Sequence, residues 1–296
     1  MQPYLYLTLH WMHFSLADRE VRALIQLLDD PDDSVYKNVS DKLISFGKNV
    51  IPHLETEWEI NAQNAIQLRI EEIIHQIEFE IGKNALAGWK SAGAIDIFEG
   101  AVKASMFQYP DQPIDLMLSK MELLRKDVWL ELNDNLTSLE KIRVLNHILY
   151  DVHHFGPHLK YHSSDQSWFI SNVLAHQKGS PTTMAILYKA IADRLELPVV
   201  GINLPDHFIL GYKDVYNHTS NELLFYINPF SKGAVFGKSE LERYIDKMGV
   251  ELNIEDLKPL SNEQIIVRLL TDLKHCYKKL GKYRKMEEVN QLLGVL

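Results

Sequence analysis

The stretch KGSPTTMAILY, residues 178–188, predicts the start of the central helix of this chain. Gly179 is a loop residue, Ser180 is of a type that caps helices by accepting a backbone hydrogen bond, and Pro181 suits the first helical position. After these residues, apolar side chains recur at steps of three and four, which predicts one buried helix face. The helix is expected to end before Pro198, because the residue that precedes a proline is disfavoured in the α region.

Three short β-strands are predicted to follow this helix. Residues 199–202, 207–212 and 224–228 are runs rich in β-branched and aromatic side chains. His207 opens the second run and Asn228 closes the third. The predicted order is therefore a helix, a strand that begins with a histidine, and a strand that ends in an asparagine.

This order resembles the transglutaminase-like superfamily, which, like papain-like folds, assembles a nucleophile, a base and an orienting residue in that sequence. The resemblance implies that His207 stands at the position of the catalytic histidine and Asn228 at that of the aspartate. It also implies that Pro181 stands where the superfamily has its nucleophilic cysteine, so the attacking atom of the usual chemistry is missing. Papain-type triads work with asparagine, and the loss of the thiol is therefore the decisive departure.

Three motifs are more specifically similar to those of SirB-type proteins, which join a transglutaminase-like domain to a TPR-like tail. They are GSPxxMxxLY at residues 179–188, LPDHF at 204–208 and INPF at 227–230. The resemblance extends from about residue 95 to residue 296. A proline in place of the cysteine is usual in that family, whereas its third motif normally carries aspartate where this chain has Asn228.

The chain is expected to be an α+β protein with three parts. Residues 1–90 are predicted to form a HEAT-like helical region, because two amphipathic helices flank an Asp-Pro-Asp turn and a glycine follows them. An irregular helical bundle is the alternative for this region. Glycines in residues 84–93 mark the predicted boundary. Residues 91–258 are expected to form the transglutaminase-like, papain-like domain, with an antiparallel sheet against the core helix, and residues 259–296 a TPR-like helical hairpin.

Composition restricts the classes of partner. An apolar fraction of 46% with 24% charged residues is typical of a globular protein. The net charge of −9 argues against nucleic-acid binding, since phosphate binding needs clustered cations. No apolar run is long enough for a membrane helix, and residues 1–14 lack the basic start of a signal peptide. The single cysteine, Cys276, is expected to pack in a core, and it excludes an internal disulfide and indicates a cytoplasmic location.

A histidine-rich loop is the one candidate for a metal site. It carries His153, His154, His158 and His162. Because Gly156 and Pro157 interrupt any helix there, the histidines do not share one helical face, and no metal or other cofactor is expected.

The function that these patterns favour is a non-catalytic protein-interaction or regulatory module with a peptide or ligand cleft at the relic active site. The partner is expected to be a protein or peptide; the sequence does not indicate an oligomeric state. The candidate binding residues are Asn172, Gly179, Thr182 and Thr183, the two threonines through the free amides of a helix start.

The alternative is an amide hydrolase or acyltransferase in which Ser180 or Thr182 replaces the cysteine, with His207 as base and Asn228 as orienting residue. A shift of one residue along a helix turns the side chain by about 100°, so neither hydroxyl would take the direction of the thiol.

Overall fold

The computed structural model describes residues 16–61, 64–204, 207–214, 223–248 and 257–296. For residues 16–18, 207 and 248 it describes the backbone alone. The chain divides into two compact units, one up to Ile81 and one from Gly82 onward. Among the described helices, none combines the length and the apolar character that crossing a membrane requires.

The first unit is helical, as the sequence predicts. Its helices are α1, Leu16–Gln26; α2, Asp33–Ser45; α3, Ile51–Ile60; and the first part of α4, Asn64–Ser91. The predicted polar turn starts α2, because the Asp32 side chain accepts a hydrogen bond from the Ser34 amide at 2.8 Å. Aliphatic side chains from all of these helices form its core, including the fully buried Leu43, Leu54, Ile70 and Ile73.

The second unit continues with eight further helices in its described residues. They are α5, Ile97–Ser105; α6, Ile114–Glu131; α7, Ser138–Asn146; α8, Ile170–His176; α9, Pro181–Arg194; α10, Lys238–Met248; α11, Asn262–Lys279; and α12, Tyr283–Leu293. A π-helical turn, His147–Val152, extends α7. The last two helices form the predicted hairpin, which Gly281 closes with a φ of 70°.

A five-stranded antiparallel sheet lies at the centre of this unit. Its strands are β3, Val199–Leu204; β4, His207–Lys213; β5, Leu223–Asn228; β6, Ala234–Phe236; and β7, Pro259–Leu260, in the order β6-β5-β4-β3-β7. Two short parallel strands, β1 at Gly156–Pro157 and β2 at Lys178–Gly179, form a separate pair before α9. The predicted α+β class with an antiparallel sheet is confirmed.

The helix α9 is the core helix of the second unit. It packs against β3 and β4, and its side chains from Thr182 to Ala192 are buried. The opposite layer comes from α10, whose Leu241 and Ile245 pack with Ile202, Ile209 and Tyr226 of the sheet. The sheet is therefore covered by helices on both faces.

The glycine segment expected to separate the first two parts is largely helical. Gly82 and Gly88 lie inside α4, and only Gly93, with a φ of 93°, follows its end. The Cβ of a residue at position 82 would lie 3.1 Å from Met106 Cβ, so the glycine permits a close approach rather than a break in the helix. The limits 1–90, 91–258 and 259–296 stay predictions, as do the HEAT-like and TPR-like descriptions.

Candidate functional site

Ser180 caps α9, as its position before a proline predicts. Its Oγ accepts a hydrogen bond from the Thr183 amide at 3.3 Å and lies 2.8 Å from Thr183 Oγ1. Thr183 Oγ1 in turn donates to the carbonyl oxygen of Ser167 at 2.7 Å. Both side chains are fully buried, and the hydrogen bonds of the Ser180 hydroxyl stabilise the start of the helix.

Two amides of this helix turn also have hydrogen-bond acceptors. The Thr183 amide is bound by the Ser180 cap, and the Met184 amide donates to the Ser180 carbonyl oxygen at 2.9 Å. These two amides already have acceptors inside the protein, and ligand binding by the amides of Thr182 and Thr183 stays a prediction.

The Thr182 hydroxyl is engaged as well. Thr182 is 1% exposed, and its Oγ1 donates to Asp272 Oδ2 of α11 at 2.7 Å. Arg268 Nε donates to both oxygens of Asp272 at 2.9 Å, and Arg268 Nη1 contacts Asn203 Oδ1. These bonds join the first turn of α9 to α11 and to β3.

Pro181 lies where two cavities meet. One cavity has a volume of about 880 Å³ and the other about 450 Å³, and both are lined by Tyr161, Pro181 and Phe208. The Tyr161 ring packs edge-on against Trp168 of the first cavity and against Phe230 of the second, with centroid distances of 5.7 and 5.4 Å. We call the two cavities together the cleft.

The larger cavity, which we call the basic lobe, collects cations from α11. Besides Tyr161, Pro181 and Phe208, its lining consists of His162, Trp168, Thr182, Arg268, Asp272, His275, Cys276, Lys278 and Lys279. Three of these side chains, Arg268, Lys278 and Lys279, are cationic, and Asp272 is anionic. Burial, followed by the charge of Lys279, lowers the pKa of His162, as expected beside a positive charge.

The smaller cavity, which we call the apolar lobe, lies between β4, the turn after β5, and α10. Besides the three shared residues, its lining consists of Leu204, Ile209, Asn228, Phe230, Ser231, Phe236, Glu240, Leu241 and Tyr244. Glu240 is the single charged residue among these, and its Oε2 accepts a hydrogen bond from the Gly237 amide at 2.9 Å.

Asn228 ends β5 and caps the 3₁₀ turn Pro229–Ser231. Its Oδ1 accepts hydrogen bonds from the Phe230 amide at 3.1 Å and the Ser231 amide at 3.2 Å. The side chain lines the apolar lobe but uses its carbonyl oxygen locally. An aspartate would make the same cap, so the departure from the SirB-type motif leaves this turn intact.

A buried polar network that the sequence did not reveal holds that turn. The Tyr150 hydroxyl donates to the Pro229 carbonyl oxygen at 2.9 Å, and the Tyr188 hydroxyl of α9 donates to Asn146 Oδ1 at 2.8 Å. Asn146 Nδ2 donates to the Gly233 carbonyl oxygen at 2.8 Å. Burial raises the pKa of both tyrosines well above the ordinary value, so they remain neutral donors.

The remaining candidates have defined positions. His207 opens β4 opposite Leu204, but its side chain lies outside the described residues, so its role as a base stays a prediction. Gly179 is a close-approach residue, because a Cβ there would lie 3.0 Å from Met184 Sδ. Asn172 Nδ2 donates to the Tyr109 hydroxyl at 3.0 Å and to the Gln166 carbonyl oxygen at 3.2 Å, and it does not line the cleft.

Cys276 is buried, as expected, and does not have the properties of a relocated nucleophile. It is 3% exposed, and its Sγ lies 3.8 Å from the carbonyl oxygens of Tyr161 and Ser164, to which the thiol donates. Burial raises the pKa of this thiol, which disfavours the reactive thiolate.

The histidines of the loop have different surroundings. His153 Nε2 lies 2.7 Å from Asp127 Oδ2, whereas His162 lines the basic lobe. Within the described part of the chain, no three His, Cys, Asp or Glu side chains come together in a group able to hold a metal ion.

Comparison with known proteins agrees with this fold. The family model described as the transglutaminase-like superfamily matches residues 115–271, more than half of the chain. The chain belongs to the transglutaminase-like superfamily, as a SirB-type member.

The relatives support this assignment at low identity. Protein SirB1 of Salmonella typhimurium is 28% identical over 64% of this chain and 68% of its own length. A UPF0162 protein of Xylella fastidiosa is 23% identical over 66% of this chain and 71% of its own length. Human F-box only protein 21 is 26% identical over half of this chain, but over only 23% of its own length. No solved structure matches.

Proposed function

We propose that this protein is a non-catalytic member of the superfamily that binds a peptide segment of a partner protein in the cleft, as a regulatory interaction module. The observation that carries the proposal is the position of Pro181 at the junction of two lobes, between hydroxyls that are already engaged. A cleft that is large enough for side chains, and in which the hydroxyls on either side of Pro181 are already engaged, is suited to recognition.

The contacts argue against the alternative chemistry with Ser180 or Thr182. Activation of Ser180 would require the loss of the α9 cap, which costs about 1 kcal/mol, and exposure of a fully buried atom. The Thr182 hydroxyl does donate to a carboxylate, but both oxygens of that carboxylate already accept hydrogen bonds from Arg268 Nε.

A protein partner fits the charge of the chain better than a nucleic acid. The overall net charge of −9 opposes a phosphate backbone, whereas a short peptide meets only the local charges of the cleft. We propose that this interaction takes place in the cytoplasm.

An amine-incorporation assay tests the absence of catalysis. The purified chain is incubated with a fluorescent primary amine and casein, and an authentic transglutaminase serves as the positive control. We expect no labelled casein from this chain. Labelling that Ser180→Ala or Thr182→Val abolished would refute the proposal and establish the hydroxyl chemistry.

A peptide-display selection tests recognition. Peptides from a random library are selected on the purified chain and then measured against Ser231→Trp, which places an indole in the apolar lobe without removing a backbone donor. Ser119→Trp, on the exposed face of α6, is the matched control. We expect Ser231→Trp to weaken binding at least about tenfold and the control to leave it unchanged. If no peptide were enriched, or if both variants bound equally, the cleft would not be the binding site.

A further inference from the structure

The charges of the cleft are distributed unevenly. The chain as a whole is acidic, yet Arg268, Lys278 and Lys279 all line one lobe, with Asp272 as the single carboxylate among the described residues of its lining. Arg268 is committed to Asp272 and Asn203. Its guanidinium charge is therefore largely balanced inside the protein. The other two cations of the lobe are Lys278 and Lys279.

Lys278 and Lys279 are exposed side chains at the end of α11. In the part of the chain that the structure describes, neither makes an ion pair. The contrast with the next lysine is direct, because Lys282 Nζ lies 2.8 Å from Asp165 Oδ2. Two adjacent cations without an acidic partner, at the edge of a cavity in an acidic protein, favour an anionic ligand.

The apolar lobe has the opposite character. Phe208, Phe230, Leu241 and Tyr244 are among its lining residues, and its carboxylate, Glu240, would repel an acidic group placed there. A ligand that spans both lobes therefore needs its negative charge on the Lys278 side of Pro181 and its apolar part on the Phe230 side.

We propose that the cleft recognises a peptide segment in which an acidic side chain adjoins a bulky apolar side chain. The carboxylate binds at Lys278 and Lys279, the apolar side chain enters the apolar lobe, and the peptide backbone crosses Pro181 beside the Tyr161 ring. This inference rests on the proposed function and adds the chemistry and the direction of the ligand.

Fluorescence polarisation with degenerate octapeptide pools tests the inference. Each pool has a fixed central pair, Glu-Phe, Gln-Phe or Glu-Ser, among uncharged residues, so the pools differ in one property at a time. We expect the Glu-Phe pool to bind about tenfold more tightly than either other pool at low salt, and its advantage over Gln-Phe to shrink at high salt.

The lysines are tested by charge removal. Combined Lys278→Gln and Lys279→Gln changes should make the Glu-Phe and Gln-Phe pools bind equally. The matched control is Lys120→Gln with Lys126→Gln on α6, which removes the same charge away from the cleft lining and should preserve the difference. Ser231→Trp should weaken the Glu-Phe pool most, since the apolar side chain loses its lobe.

The outcomes separate the two proposals. Binding of no pool would contradict the proposed function itself. Equal binding of the Glu-Phe and Gln-Phe pools, lost in Ser231→Trp, would leave a peptide cleft but overturn the acidic preference. Displacement of the Glu-Phe pool by inorganic phosphate at lower concentration than by acetate would overturn the carboxylate in favour of a phosphorylated ligand.

Discussion

The first turn of α9 and the end of α11 face the same basic lobe but use their polar groups in opposite ways. In the α9 turn, Ser180, Thr182 and Thr183 are buried and bound to partners within the protein. At the end of α11, Lys278 and Lys279 are exposed and make no ion pair among the described residues. The first region therefore stabilises the scaffold, and the second is available for recognition.

Buried polar groups stabilise a fold only when they have hydrogen-bond partners. If one partner is removed, the other stays buried without a hydrogen bond and its desolvation is no longer compensated. Substitutions in the satisfied region should therefore reduce the free energy of unfolding, whereas substitutions of the exposed cations should not.

The largest effect is expected at Gly233, where the turn after β5 contacts the buried network. A Cβ at this position would lie 1.9 Å from Asn146 Oδ1, and φ is 70°. Gly233→Ala should lower the free energy of unfolding by about 3 kcal/mol, from left-handed strain and disrupted hydrogen bonds, as measured by urea denaturation.

Gly281 is the matched control for this change. It has the same φ of 70°, but nothing lies within 4 Å of the added Cβ. Gly281→Ala should therefore cost only about 1 kcal/mol, the strain alone. Equal losses in the two variants would show that the contact with Asn146 does not hold the turn.

Removal of the α9 cap should have the next largest effect. Ser180→Ala leaves the Thr183 amide without its side-chain acceptor and should cost about 1–2 kcal/mol by the same measurement. Ser91→Ala, at an exposed hydroxyl that donates to the Ala87 carbonyl oxygen at 2.9 Å, should cost less than about 0.5 kcal/mol. A stable Ser180→Ala protein would mean that the hydroxyl is free for another role.

Cys276 should react slowly with iodoacetamide. Because burial raises the pKa of its thiol, the thiolate fraction at pH 8 is lower than that of a free cysteine and rises only at higher pH. We expect alkylation, measured from the intact mass of the protein, to be at least about tenfold slower than that of free cysteine. Unfolding in urea should restore the rate of free cysteine. Rapid alkylation at neutral pH would instead identify an activated thiol and reopen the question of catalysis.

The smallest effect is expected from the exposed cations. Lys278→Gln with Lys279→Gln should change the free energy of unfolding by less than about 0.5 kcal/mol, since neither side chain makes a described ion pair. A loss comparable with that of Ser180→Ala would show that the two lysines stabilise the fold and would remove the contrast between the two regions.

Local chemistry made much of the fold predictable from the sequence. The serine before Pro181 caps its helix, the alternating runs around His207 and Asn228 form strands, and the polar turn at Asp32 begins a helix. Gly82 and Gly88 do not end a helix, because both lie within α4. Glycine frees the backbone but does not by itself end a helix when packing supports it.

The candidate site was predictable only in part. The sequence indicated Pro181, Asn228 and Thr182 as residues of one region, and all three line the cleft. It did not indicate Arg268, Lys278 or Lys279, which follow Pro181 and Thr182 by 86 to 98 residues and Asn228 by 40 to 51. The available signal was the Arg268–Asp272 spacing of four residues and the cations at the end of an amphipathic helix.

The sequence alone determined that a serine and a proline begin the central helix, and its resemblance to the superfamily predicted that this proline stands at the position of the thiol, because residue identity and helix position are local properties. Only the tertiary structure decided which neighbouring polar groups are satisfied and which are exposed, because that depends on how α11 packs beside the start of α9. The predicted loss of the nucleophile thus depends on one residue, whereas the character of the cleft arises from contacts between distant segments.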